Sequence, residues 1–373
     1  MTVLSGRPLS LLYVTARYPP FVGGTEIHTA EVARRMVARG HDVTVLTTAF
    51  EPLPTGEETV EGVRVVRVRA WPADFDFYFA PGIRSTIIAG RWDLIHCQGY
   101  HTFVAPAAMI AAVTSRQPFI VTFHSGGHSS LLRRSLRPLQ QVLLRPLLKR
   151  ARRLIGVSQF ETDYFRRRLR LPEARFATVT NGVAPDFLDV DAETPTHRSV
   201  ICSVGRLEKY KGHHRVIEAL PEVRKRIPDV VLYIVGDGPY RSQLEAVARR
   251  LGVRDRVEFI VVGSGERREM AELLRSARLI TLLSDYESQG VVGLEAIAVG
   301  RPLLVADGTA MAELGRYGGV SVVPPHVDTH SLATLIAHKI EENSAPKRNL
   351  VPLWENTADA LEAIYRGVVS TSE

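Results

Sequence analysis

The sequence predicts an α/β protein of two Rossmann-like domains, and three observations carry that expectation. The chain has 373 residues, more than one ordinary hydrophobic core accommodates. Short apolar runs alternate with stretches of helical period, the pattern of βα units on parallel sheets. The alternation comes in two series, the second beginning at Ser199, and the Pro-, Thr- and acid-rich segment Asp186–Arg198 between them reads as a linker. The expected division is 1–187, then 188–352. An amphipathic helix within 353–373 follows, carrying Trp354, Ala358, Leu361, Ile364 and Tyr365 on one side.

Composition bounds the class further. An apolar content of 45% with 23% charged residues is that of a globular protein. Met1–Ser10 holds no apolar stretch of signal-peptide length, and no run approaches the roughly 18 apolar residues of a membrane span, so a cytoplasmic protein is expected. Cys97 and Cys202 lie in apolar surroundings in different halves, which suits small buried residues better than a disulfide. The net charge of +7 is uneven: Met1–Phe187 carries 24 Lys and Arg against 14 Asp and Glu, the remainder 23 against 26. A basic first half and a slightly acidic second half have different electrostatic tasks. The basic complement is almost all arginine, which suggests a GC-rich bacterial genome.

The first series opens on strand Ser10–Thr15 and a turn-rich loop from Arg17 to Gly24. A helix capped by Thr25 follows, with Ile27, Ala30, Ala33, Met36 and Val37 on one side; Gly40 stops it, and Val43–Thr47 is the next strand. Gly23 and Gly24 let backbone approach a diphosphate with no Cβ in the way, although a plain tight turn uses the same residues. Val63–Arg69 and Leu94–Cys97 read as strands, and Phe119–Phe123 as a buried strand ending in His124-Ser125-Gly126-Gly127-His128. A histidine at a strand's carboxyl end can point into a cleft, where titration near neutral pH suits hydrogen bonding to a sugar or to a moving proton. A satisfied structural histidine fits the same pattern. His96, His101, His124 and His128 have neither helical pair spacing nor a matching carboxylate set, so no metal site is expected.

Ser129–Arg153 holds eight basic residues (Arg133, Arg134, Arg137, Arg145, Lys149, Arg150, Arg152 and Arg153) and no acid, with interleaved leucines and with Pro138 and Pro146 as interruptions. Such a stretch either packs its leucines on the sheet with solvated arginines outside, or lies on an anionic bilayer surface. Without aromatics for base stacking it does not read as a nucleic-acid site. Leu154–Val157 is a strand, Ser158 caps the next helix, and Val179-Thr180-Asn181-Gly182-Val183 follows.

In the second series, strand Ser199–Val204 leads into Gly205-Arg206-Leu207-Glu208-Lys209-Tyr210-Lys211-Gly212 and a helix with Val216, Ile217 and Leu220. Arg206 and Lys211 bracket a loop at a strand's carboxyl end, so both cations can converge on one anion. Strand Val230–Val235 ends in Gly236-Asp237-Gly238-Pro239 ahead of a helix from Tyr240 to Leu251, and Val257–Val262 is the next strand. Strand Leu279–Leu283 then runs into Ser284-Asp285-Tyr286-Glu287-Ser288-Gln289-Gly290 and a helix carrying Val292, Leu294, Ala296 and Ile297, closed by Gly300. Glu287 is expected at the strand's carboxyl end and Glu295 about two turns up the helix. Backbone N–H groups near Gly290, at the positive end of the helix, suit an anion. The carboxylates suit sugar and ribose hydroxyls, which donate to them. The series closes with strands Pro302–Ala306 and Val320–Val323 and a helix Thr329–Glu341.

Glu287, seven intervening residues, Glu295-Ala296 and Gly300-Arg301-Pro302 together resemble the signature of the family-4 retaining glycosyltransferases of the GT-B class. The Gly205-Arg206…Lys211-Gly212 spacing, the strand ending in Gly236-Asp237-Gly238-Pro239, Val179-x-Asn181-Gly182-Val183 and the Gly23-Gly24 loop extend the resemblance over nearly the whole chain. It implies two facing Rossmann-like domains with an interdomain cleft, an acceptor-binding first domain, a donor-binding second domain and a last helix crossing back to the first.

The resemblance implies transfer of a sugar from a nucleotide-diphosphate donor, UDP- or GDP-linked, to an acceptor hydroxyl with retention and without a metal or other cofactor. Arg206 and Lys211 would stabilise the leaving diphosphate, Glu287 hold the donor sugar and Glu295 the ribose. Gly23, Gly24 and Gly290 would meet the phosphates, and His124 would border the reacting carbon. The expected acceptor is a membrane lipid-linked glycan or a soluble small-molecule alcohol, with 129–153 as a peripheral contact to anionic membrane. Two departures touch the donor contacts: Ser288-Gln289-Gly290 stands where Phe-Gly is common after the first glutamate, and Asp307–Glu313 lacks a usual glycine pair. A GT-B epimerase, a phosphorylase or a non-catalytic nucleotide-sugar-binding protein are the alternatives.

Overall fold

The structure, a computed structural model, describes residues 6–21, 23–49, 53–71, 78–125, 131–190, 198–263 and 265–371, and of 131–138 the backbone only. The chain forms two compact units. The first comprises Met1–Ser125, Leu132–Asn181 and Trp354–Glu373, and the second centres on Gly182–Leu353.

The first unit holds strands β1 (Ser10–Val14), β2 (Asp42–Ala49), β3 (Gly56–Val60), β4 (Val63–Arg69), β5 (Leu94–Gln98), β6 (Phe119–Thr122), β7 (Leu154–Gly156) and β8 (Phe176–Thr178). They form one sheet in the order β3-β4-β2-β1-β5-β6-β7-β8. Every pairing is parallel except the hairpin of edge strand β3 on β4. The parallel strands are apolar on both faces because helices cover both sides. Helices α1 (Gly24–Ala38), α2 (Pro81–Ala89), α3 (Val104–Thr114), α4 (Leu131–Leu148) and α5 (Gln159–Leu169) connect them. Leu12, Val14, Ile95 and Cys97 pack on the side of α2 to α5, while the alternating Leu11, Tyr13, Val43 and Val45 pack on the side of α1.

The second unit holds β9 (Val200–Val204), β10 (Val231–Val235), β11 (Val257–Ile260), β12 (Leu279–Leu282), β13 (Leu303–Ala306) and β14 (Val320–Val323), with helices α6 (His213–Arg226), α7 (Arg241–Arg250), α8 (Arg267–Ser276), α9 (Val291–Ala298) and α10 (Thr329–Glu342). Its order, β11-β10-β9-β12-β13-β14, is all parallel. This is the 3-2-1-4-5-6 arrangement of a dinucleotide-binding sheet, whose switch point lies between the first strand and the fourth, here β9 and β12.

Helix α11 (Trp354–Ser370) belongs to the first unit, where Ala358, Leu361, Tyr365 and Val368 join the core beneath α1. Charged residues zip the two helices together: Arg35 to Glu355 at 2.8 Å, and Arg39 to Asp359 at 2.6 Å and to Glu362 at 2.8 Å. The units divide between Asn181 and Gly182, ahead of the expected 187/188. Val183 already pairs with the returning strand, its N–H donating to the Pro352 carbonyl at 2.9 Å.

Strands β3 and β8 and helices α2, α3 and α8 have no counterpart among the expected elements; α3 carries too few polar residues to show a helical period. Helix α4 runs through Pro138 and Pro146 rather than being interrupted. A proline deletes one helical hydrogen bond and favours a kink, and the surrounding turns carry the helix past it. Both cysteines are free and buried, and burial pushes each thiol up to about 12. Residues 191–197 of the expected linker lie outside the described residues, as do His128, Ser129 and Ser130.

Candidate functional site

The switch point of the second sheet brings the loops after β9 and β12 together, although 76 positions separate their key residues. The Asp285 N–H donates to the Tyr210 carbonyl at 2.8 Å and clips one loop to the other. Gly212, at φ +77°, ends the 3₁₀ turn Lys209–Lys211 in a left-handed conformation, and a Cβ there would lie 2.2 Å from the Leu283 carbonyl oxygen. Only glycine fits on both counts. On the far side of β9, the Leu207 N–H donates to Asp237 at 2.9 Å and the Tyr240 N–H to Leu207 at 2.9 Å, which ties in the glycine turn after β10. On the far side of β12, the Ala310 N–H donates to the Glu287 carbonyl at 3.1 Å and brings in the segment after β13.

Within this frame the Lys211 ammonium donates to Glu287 Oε1 at 2.5 Å, and the Ser284 hydroxyl donates to the same oxygen at 3.0 Å. Burial pulls the Lys211 ammonium down, but the charge and hydrogen bond of Glu287 and the Tyr210 phenol outweigh it and hold its pKa above the ordinary value. The side chain therefore stays cationic throughout the physiological range. Arg206 does not touch Glu287. Its guanidinium pairs with Glu208 at 3.4 Å and is 57% exposed, yet its charge acts on both Lys211 and Tyr210. Lys211 is thus the anchored cation and Arg206 the outward-facing one.

His213 underlies both. It is buried, donates from Nε2 to the Arg206 carbonyl at 3.3 Å, and so accepts from the Ser203 hydroxyl at Nδ1 at 2.8 Å. Burial lowers its pKa to about 4, so it is neutral and serves as a strut for the Arg206 turn. Tyr210, His213 and Ser284 were not singled out from sequence; a histidine directly after Lys211-Gly212 at a helix start is the signal that was available.

Glu295 lies one turn into α9, not two, because the helix starts only at Val291. Burial raises its carboxyl to about 7, with the Arg267 charge working against the rise. Such a desolvated carboxyl gains from hydroxyl donors. Gly290 is the N-cap of α9 at φ +67°, without a side-chain cap, and a Cβ there would sit 2.5 Å from Met311 Sδ. The N-terminal amides of α9 are therefore presented beside Glu287 without a capping side chain.

In the first unit His124 is the second residue after β6, buried, at φ +45°. Its Nε2 lies 2.7 Å from Gln98 Oε1, and its ring meets His28 edge to face at 4.6 Å. Burial and then the neighbouring histidines His28, His96 and His101 hold its pKa well below the ordinary value. The expectation that it titrates near neutral pH is thereby corrected: a ring in a low-dielectric pocket beside other imidazoles stays neutral. His28 in turn reaches Asn181 Oδ1 at 2.6 Å, and burial lowers it to about 4. Gly23 is extended (φ −179°), Gly24 is the first residue of α1, and a Cβ on Gly24 would meet nothing within 4 Å. Local backbone geometry requires glycine at neither position.

In α4, Leu144 and Leu148 enter the core, whereas Leu139 (55%), Val142 (65%) and Leu143 (67%) stand exposed. The outer face of the described turns is therefore apolar, which a helix packing all its leucines inward would not show, and Arg145 donates to the Leu169 carbonyl at 3.0 Å. The side chains of Arg133, Arg134 and Arg137 lie outside the described residues. Among the described residues no helix is long and apolar enough to cross a membrane. Among them, too, no three His, Cys, Asp or Glu side chains form a metal-ligating group.

Two Rossmann-like α/β units are the architecture of the GT-B fold. Residues 22–187 match the model of Glycosyltransferase Family 4 and 187–350 that of Glycosyl transferases group 1, and the chain belongs to this family. It is 28% identical to glycogen synthase of Mycobacterium tuberculosis, covering 96% of this chain and 94% of that protein. It is 26% identical to the alpha-D-kanosaminyltransferase of Streptomyces kanamyceticus, over 90% and 98%. It is 28% identical to the phosphatidyl-myo-inositol mannosyltransferase of Mycobacterium tuberculosis, over 94% of each. In fold it is similar to sucrose-phosphate synthase from Thermosynechococcus elongatus (TM-score 0.78, 19% identity, 97% and 99% covered). It is also similar to Anabaena HepE in complex with UDP and glucose (TM-score 0.77, 19% identity, 96% and 100% covered).

Proposed function

We propose that this glycosyltransferase moves a hexosyl group from a nucleotide-diphosphate sugar to an acceptor hydroxyl with retention of anomeric configuration and without a metal. The observation that carries the reading is the Lys211–Glu287 contact at the switch point. It puts a permanent cation and a hydroxyl-accepting carboxylate at one strand edge, the chemistry a pyrophosphate-linked sugar requires. Lys211 and Arg206 neutralise the leaving diphosphate, in the role a metal has elsewhere, and the α9 amides after Gly290 receive phosphate oxygens. Glu287 accepts from the donor sugar's hydroxyls, and Glu295 from the ribose. Gly24 leaves room for phosphate, as does Gly23 once the Glu26 carboxylate beside it swings aside, and His124, neutral, borders the reacting carbon as a hydrogen-bonding wall. The C1–phosphate bond breaks while the acceptor oxygen bonds C1 on the same face, and the acceptor proton passes to the departing phosphate oxygen. UDP is the favoured nucleotide, since the fold relative HepE binds UDP and glucose.

The acceptor is a lipid-linked glycan at an anionic cytoplasmic membrane face, contacted through 129–153, in line with the exposed apolar turns of α4 and the basic sequence of that stretch. Co-sedimentation with phosphatidylglycerol vesicles at low salt is expected; no binding would favour a soluble alcohol. The test of the whole reading is a donor screen by released nucleotide in the presence of EDTA, with the product's anomeric configuration read by NMR. A new glycoside of the donor's configuration supports it. Inverted product, altered donor without acceptor, or dependence on inorganic phosphate would each reject it.

The Glu295 assignment sets a pH dependence. A carboxyl at about 7 in the free protein is favoured in its ionised form by ribose hydroxyls, so its pKa falls on binding. Donor affinity then rises with pH up to about 7 and levels off above, by at most about tenfold per pH unit. Isothermal titration between pH 5.5 and 8 checks this, with Glu295→Gln expected to flatten the profile. An equally steep profile in that variant would remove Glu295 from the ribose site.

A further inference from the structure

We propose that Glu161 is a positioning residue, the clamp that sets the His124–Ser125 turn at the carboxyl end of β6. The proposal rests on the reading of that turn as a wall of the reacting centre. Glu161 is the third residue of α5 and wholly buried. A glutamate there commonly reaches back to the N-cap amide. Here the cap is already made, since Ser158 Oγ accepts from the Glu161 N–H at 3.1 Å. The carboxylate turns elsewhere: Oε2 receives the Val157 N–H at 2.9 Å, and Oε1 receives both the Ser125 N–H at 2.6 Å and the Ser125 hydroxyl.

One carboxylate thus bridges the ends of two neighbouring strands, β6 and β7. Among the described residues no Lys or Arg is ion-paired with it. Burial raises its carboxyl to about 7, against the pull of the Ser125 and Val157 donors. An amide of the same shape would turn an N–H₂ toward one of three donors and leave it unsatisfied, so only a carboxylate's acceptors meet all three. A structural cap does not need a carboxylate reaching across to the next strand. What its acceptor oxygens secure is Ser125, the residue next to His124, and the left-handed backbone of His124 is costly for any side-chain-bearing residue and persists only where its surroundings hold it. Small displacements of groups lining a reacting centre cost large factors in rate.

The test compares Glu161→Gln, Ser125→Ala, their double variant, His124→Ala and, as a control in the same turn, Thr162→Ala. With a donor found by the nucleotide-release screen, Glu161→Gln lowers kcat at least about tenfold while the donor KM stays within about twofold, because donor grip resides in the second unit. The double variant is no slower than Glu161→Gln alone, and Thr162→Ala keeps wild-type kcat. Hydrogen exchange at the Ser125 amide speeds up in Glu161→Gln whether or not a substrate is in hand. Unchanged exchange, additive losses, or a kcat that merely follows the folded fraction would overturn the clamp. Wild-type rates in His124→Ala would overturn the reading of the turn and the clamp with it. Loss in His124→Ala beside full activity in Glu161→Gln would defeat the clamp alone.

Discussion

Lys211→Ala lowers kcat by about two to three orders of magnitude, the cost of deleting one preorganised donor aimed at developing negative charge. The expectation follows from how Lys211 is held. A left-handed Gly212 abutting Leu283 fixes the end of its turn, the Asp285–Tyr210 bond fixes the turn against β12, and Glu287 keeps the ammonium charged and aimed. In the proposed reaction the cation is therefore already in place before negative charge develops on the leaving group. Arg206→Ala costs less, because that guanidinium is exposed and must be ordered on binding. Initial rates at saturating donor, with circular dichroism to confirm folding, check both. A Lys211→Ala enzyme within about threefold of wild type would remove the catalytic role from this lysine.

A chain ending at Leu353 loses the first unit's fold while the second stays folded. Trp354, Leu361, Tyr365 and Val368 are all buried in the first unit. At about 1.5–3 kcal/mol each their removal costs roughly 8 kcal/mol, comparable to the whole stability of a domain. The polar losses act in the same direction. Tyr365 OH lies 2.8 Å from both Tyr13 OH and His96 Nδ1, so its removal strands two buried groups, and Arg35 and Arg39 lose their α11 carboxylates. Limited proteolysis is expected to degrade residues before 181 and spare those from 182 onward. A protected, cooperative first unit in the truncated chain would contradict this account of α11.

The parallel strands of the second unit were legible because each is a short apolar run bounded by polar, proline or glycine residues, and the helix after Lys211-Gly212 was legible from its 3.6-residue period. Helix α3 was not, since Val104–Thr114 is apolar all round and shows no face. The site residues Arg206, Lys211, Glu287 and Glu295 stood out through spacing and resemblance, but their inequality did not. Nothing in the order of residues says that Lys211 rather than Arg206 takes the carboxylate. The His124 protonation state was misjudged because it depends first on burial in the packed unit and then on three other histidines brought in from β5, the following loop and α1.

By itself the sequence determined the types of most elements and the membership of a glycosyltransferase family. Those follow from local periodicity, turn chemistry and spacing, which are one-dimensional properties. The tertiary structure alone decided which loops meet: parallel strand order places β9 beside β12 and β6 beside β7, joining Lys211 to Glu287 and Glu161 to Ser125. It also decided the charge state of each buried group, because desolvation is a property of the packed surroundings and not of the residue.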